Sequence, residues 1–115
     1  MTIPLKVVDP AKLLNDPLTQ HIMDRTENFG HFFERVKACR VAVDPPARDV
    51  RQGRFRVRIT LSVPSSKIAV DRQTGTTLLM AIREAFDAAE QRLQDYVRVS
   101  RDAAERGSRR SKRQR

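Results

Sequence analysis

Apolar positions along the chain fall into two periods, one near two residues and one near 3.6. Residues 3–8, Ile3-Pro4-Leu5-Lys6-Val7-Val8, read as a first strand, with Pro4 at its start, where a missing donor is tolerated. Asp9-Pro10 opens a turn. Asp16-Pro17 marks a helix start, Asp16 as N-cap and Pro17 at the first helical position. Leu18, Ile22, Phe29, Phe33 and Val36 follow at helical spacing, with Gly30 a place for a bend or a close contact. Lys37 to Val43 alternates about Cys39, Val41 and Val43 as a second strand, ended by Asp44-Pro45-Pro46. Residues 47–53 form a polar loop.

Arg54 to Val63 is the clearest strand. Phe55, Val57, Ile59 and Leu61 share one face; Arg54, Arg56, Arg58, Thr60 and Ser62 share the other. Pro64-Ser65-Ser66 is a short turn, and Lys67 to Val70 a fourth strand with Ile68 and Val70 inward. Asp71 to Thr77 reads as a turn-rich connection ending in capping threonines. The second helix is expected from about Leu78 to about Val99, on a stripe of Leu78, Ile82, Ala85, Phe86, Ala89, Leu93, Tyr96 and Val97.

The predicted order is β-α-β-β-β-α, an α+β fold in which two helices cover one face of a four-stranded, mostly antiparallel sheet. The other face is left to water, with Arg54, Arg56 and Arg58 on it. Residues 1–100 make one domain. Residues 101–115 read as a basic tail, expected to be disordered from Gly107 onward.

Charge changes this picture more than composition does. The 115 residues hold 23 Lys and Arg against 14 Asp and Glu, a net charge of +9. The stretch 106–115 carries Arg106, Arg109, Arg110, Lys112, Arg113 and Arg115 with no acid, so the folded part is only mildly basic. Such an excess favours a polyanionic partner through phosphate contacts and counterion release. No apolar run approaches a membrane span, and the first nine residues are too short and too soon charged for a secretory signal, so no membrane partner is expected. The single cysteine, Cys39, allows no internal disulfide and fits a reducing, cytoplasmic setting.

Catalytic chemistry finds little support. There is no glycine-rich phosphate loop and no metal-ligand cluster, so neither a cofactor nor a small-molecule substrate is expected. His21 and His31 stand ten residues apart on one helix, too far to share a metal. Cys39 alternates with core valines and reads as a small buried hydrophobe. Asp87 follows Arg83 by four residues, and Asp102 follows Arg98 by four. Such helical pairs account for these acids without catalysis.

The arginine row carries more. Arg54, Arg56 and Arg58 lie about 7 Å apart along one strand face, near the spacing of successive phosphates, with no acid among them. Arg40 on the second strand can join them. The five Phe and one Tyr mostly fall on apolar stripes, which argues against stacking of single-stranded bases and for backbone and shape recognition of folded RNA.

Two stretches resemble the ribosome hibernation promoting factor and ribosome-associated inhibitor family, also called the sigma-54 modulation or S30EA ribosomal protein family. The first is Gln20-His21-Ile22-Met23-Asp24-Arg25, followed by Phe32-Phe33 and Arg35-Val36. The second is Ala81-Ile82-Arg83-Glu84-Ala85-Phe86-Asp87-Ala88-Ala89, running on to Arg92-Leu93. The resemblance spans about residues 3–100. It implies a fold similar to double-stranded-RNA-binding domains and a seat in the decoding region of the small ribosomal subunit, where the protein excludes transfer and messenger RNA. It also implies the short form, without the C-terminal dimerisation domain of longer members. The sequence departs from the family where the last helix carries Ala88, Gln91 and Asp95 in place of basic residues, where helix one carries Asn28 and His31, and where Leu79 replaces an aromatic.

These observations give a first expectation, a non-enzymatic translation inhibitor. Its contacts to ribosomal RNA would be Arg25, Arg40, Arg54, Arg56, Arg58, Arg83 and Arg92, with Arg109, Arg110, Lys112 and Arg113 of the tail. The acidified last helix motivates an alternative, a protein-interaction module acting on a transcription or stress factor.

Overall fold

Inward side chains of four strands line up across one sheet and determine the architecture. In this computed structural model the backbone is described for residues 3–46 and 55–113, and side chains over the same range except 74, 75 and 102 onward. The elements are β1 (Leu5–Val8), α1 (Asp16–Phe32), β2 (Ala38–Asp44), β3 (Phe55–Val63), β4 (Ser66–Gly75) and α2 (Leu78–Arg113). The sheet order is β1-β2-β3-β4, parallel between β1 and β2 and antiparallel elsewhere.

The register sets Leu5, Cys39, Leu61 and Ile68 in one row and Val7, Val41, Ile59 and Val70 in the next. Both rows face the helices. Val41, Val43, Val57, Ile59 and Leu61 are fully buried there against Ile22, Ile82, Ala85, Phe86, Ala89 and Leu93. Phe29 of α1 stacks on Phe86 of α2 with ring centroids 5.7 Å apart, which closes the helix layer. Gly30 is where a close approach occurs: a Cβ there would lie 3.2 Å from the Ile3 side chain.

Several element bounds differ from expectation. Asn15, not Asp16, caps α1: its Oδ1 accepts the Leu18 N–H at 2.9 Å, and Asp16 stands in the first turn. The α1 helix ends at Phe32. Phe33 turns extended while its N–H still donates to the Phe29 carbonyl, so Val36 joins the core from a turn. The β4 strand is longer than its apolar alternation, because β3 pairs with it as far as Phe55–Gly75 across an irregularity at Phe55/Val57. The two-residue turn Pro64-Ser65 joins β3 to β4 and puts Ser65 at φ 62.

Thr77 caps α2 through its hydroxyl, which accepts the Met80 N–H at 3.2 Å. The backbone of α2 stays helical to Arg113, past the end of the apolar stripe at Val97. A separate tail beginning at residue 101 is therefore not visible as a break in the helix.

Candidate nucleic-acid interface

The sheet face turned away from the helices has a simple construction. Its rows are Lys6, Arg40, Thr60 and Ala69; then Val8, Ala42, Arg58 and Asp71; then Ala38, Ser62 and Lys67. Strand alternation puts them there, since each neighbours a core residue of opposite facing. Arg56 lies beside Arg58 on β3, opposite Asp44 of β2.

Acids from the two flanking strands reach the arginine row. Arg56 donates through Nε and Nη2 to both carboxylate oxygens of Asp71 on β4. Arg58 donates through Nη2 to Asp44 on β2 at 3.1 Å. Both pairs run diagonally, because the residues directly opposite in register are Asp44 with Arg56 and Asp71 with Arg58. The hydrogen bond from Arg56 holds the Asp71 carboxyl below its ordinary value, with the charges of Arg56 and Arg58 adding to it. Alternation along one strand shows no acid among the arginines; the pairing of three strands supplies two. Among the described residues, Lys6, Arg40 and Lys67 on this face are exposed and make no ion pair.

The remaining basic residues are dispersed. Arg25 is turned into the seam between the helices, its side chain only 19% exposed. Its Nη2 lies 2.8 Å from Asp87 and 3.5 Å from Glu90, and its guanidinium lies over the Phe86 ring at 5.5 Å. The partner of Asp87 is thus Arg25 of the other helix, reached across the seam, where sequence spacing suggested Arg83. Arg98 likewise pairs with Asp95, three residues before it. Arg83 is exposed on the helix layer. Arg92 leaves that layer and donates to the Ala69 carbonyl on β4. The structure therefore brings Arg40, Arg56 and Arg58 together and leaves Arg25, Arg83 and Arg92 elsewhere. Arg54 lies outside the described residues, as do the side chains of Arg109, Arg110, Lys112 and Arg113.

Lys6 and Lys67 belong to the open face and were not singled out by the arginine pattern. Their outward positions beside Leu5 and Ile68 were the available signal.

Three other polar groups sit between or within the layers, His21 and Thr26 on α1 and Cys39 on β2. Burial, then the charges of Arg25 and Arg83, hold the His21 imidazole below its ordinary value, and its buried Nε2 has no hydrogen-bond partner. Burial pushes the Cys39 thiol up to about 11. The Thr26 hydroxyl donates to the Ile22 carbonyl at 2.8 Å and lies 3.8 Å from the Cys39 sulfur. A thiol so protonated and enclosed is a packing group. No group of three or more His, Cys, Asp or Glu among the described residues could hold a metal ion. None of their helices is long and apolar enough to cross a membrane.

A sheet with one face sealed by two helices and the other open, rimmed with unpaired cations, defines an α+β domain built to present a basic surface. The sigma 54 modulation protein / S30EA ribosomal protein family matches residues 13–101, and the chain belongs to that family, which is ribosome-associated. Among solved structures it is similar to the N-terminal domain of Protein Y from Thermus thermophilus. The two share 14% identity and a TM-score of 0.60, over 84% of this chain and 99% of that one. At that identity the likeness shows the shared fold. No curated protein sequence matches the chain.

Proposed function

We propose that the protein is a hibernation factor that binds ribosomal RNA in the decoding region of the small subunit, in the cytoplasm, and blocks transfer and messenger RNA there. The observation that carries the reading is the difference in charge between the two layers. The open sheet face holds Lys6, Arg40, Arg56, Arg58 and Lys67 against Asp44 and Asp71. On the helix layer, residues 16–32 and 78–101 together hold seven Asp and Glu against five Arg, ahead of the basic stretch 106–115, and Arg25 is already taken up by Asp87 and Glu90. A polyanion is drawn to the sheet face, and phosphate contacts of this kind need no catalytic group.

Support for the ribosome as the source of that RNA comes from family membership. Inhibition by occupancy follows from a rigid body filling a channel that substrates must share. The test is co-sedimentation with small ribosomal subunits across a salt series, for the native chain and for a Lys6→Glu, Arg40→Glu, Lys67→Glu variant. Binding that fades with salt and is lost in the variant supports the reading. Native-strength binding by the folded variant would remove the sheet face from it. The tail residues Arg109, Arg110, Lys112 and Arg113 are proposed as further phosphate contacts, tested by truncation at residue 105.

The near-neutral helix layer favours a second reading, a protein-interaction module. It expects a protein partner that survives nuclease treatment in pull-downs and is lost when Asp24 and Glu27 on the outer face of α1 are reversed.

A further inference from the structure

The two ion pairs on the open face have a role of their own within the phosphate-binding reading, on which this inference rests. Asp71 presents two oxygens to the Nε and Nη2 edge of Arg56, as a phosphate group would. Asp44 takes one Nη2 donor of Arg58. Both carboxylates come from strands that flank β3 on the same face, so neither arginine needs to bend away from the surface to meet its acid. Lys6, Arg40 and Lys67, in neighbouring rows, have no such partner.

We propose that Asp44 and Asp71 are built-in competitors of RNA phosphate, each holding one arginine of the open face until closely spaced phosphates displace it. The unpaired cations make the first contact with any polyanion. Arg56 and Arg58 join only when the ligand brings enough phosphates near both at once. All four side chains of the two pairs are between 34% and 49% exposed, so water and ligand reach them. Exposed ion pairs are weak, and a phosphate chain that releases condensed counterions can exchange for them. The arrangement therefore favours a folded RNA with phosphates crowded across several strands over an isolated phosphate or a short polyanion. Neither acid contributes to the core, which lies on the other side of the sheet.

The test compares the native chain with Asp44→Asn, Asp71→Asn and the double variant. Two probes are used: elution from immobilised heparin and co-sedimentation with small ribosomal subunits. Circular dichroism melting confirms that each variant is folded, and Asp71→Ala serves as a second replacement. Each single variant is expected to bind both probes about three- to tenfold more tightly at low salt, because no acid has to be displaced. In the native background Arg56→Gln should weaken binding to subunits, where Arg56 joins the contact; in the Asp71→Asn background it should cancel the gain. Unchanged or weaker binding by folded variants overturns the proposal, since the acids would then orient the arginines or merely decorate the face. A gain on heparin with no binding of small subunits by any form would leave the competitor role standing and defeat the ribosome reading. Native binding to subunits with no gain in the variants would do the reverse.

Discussion

The two sides of β3 form a natural contrast. Val57, Ile59 and Leu61 are sealed against the helices, while Arg56, Arg58, Thr60 and Ser62, one residue away in each case, meet water. The inner side is filled by shape, and its register is fixed because a one-residue slip would bury the arginines. The outer side is filled by charge, with diagonal pairs that water can reach. One strand thus carries the packed core on one side and the candidate recognition surface on the other. Substitutions on the two sides should fall into different assays.

The largest effect tests the sealed side. Phe86→Ala removes a fully buried ring stacked on Phe29 and lying under Arg25. A loss of about 3–5 kcal/mol is expected in urea unfolding. A loss below about 1 kcal/mol would show that the helix layer does not depend on this ring.

Arg25 sharpens the contrast, because it is a basic residue placed on the stability side. Arg25→Met should cost about 1–2 kcal/mol through the lost ring contact and ion pairs. It should leave the salt slope of subunit binding unchanged. A shallower slope at native stability would return Arg25 to the RNA contacts.

His21 gives a smaller, pH-dependent effect in the same seam, where Arg25, Arg83, Asp24 and Asp87 surround it. Its pKa is lowered in the folded protein, so between the folded value and about 6.5 the unfolded chain binds more protons. Stability should therefore fall as pH drops below about 6.5, and His21→Gln should flatten that part of the profile. Urea midpoints at about pH 7.5 and about pH 5.5 measure it; parallel profiles for both proteins would exclude the histidine. The smallest effect lies in the hairpin turn. Ser65→Gly relieves a positive φ and should add a few tenths to about 1 kcal/mol. A destabilised variant would mean that the lost backbone entropy outweighs the strain.

Period and punctuation made the fold legible. The alternation in β3 and the stripe of α2 name most of the residues that prove buried, with Phe55, Leu78 and Tyr96 only partly covered, and the element order follows from them. What escaped depends on pairing between elements. Thr26 sits at a core position of α1, yet its hydroxyl disguises it; it is buried because it bonds back to Ile22. The length of β4 was hidden because Asp71, Arg72 and Gln73 lack apolar alternation, and the partner strand holds them in the sheet.

The site was legible by half. The arginine row follows from one strand, but its acids come from two others. Arg25 reads from the sequence as an RNA contact, yet Asp87 and Glu90 sixty-odd residues away hold its guanidinium.

The contact from Arg92 to the Ala69 carbonyl bears on how the protein behaves when crowded. A sheet's outermost strand offers unpaired acceptors to any extended segment that drifts past, which is how folded domains begin to stack into aggregates. The guanidinium fills one such acceptor with a charged donor, midway along β4. A second molecule seeking to add a strand there would have to evict a cation and bury it. The helix that seals the core thus also sets one charged donor on the sheet's border, where it opposes the addition of a further strand.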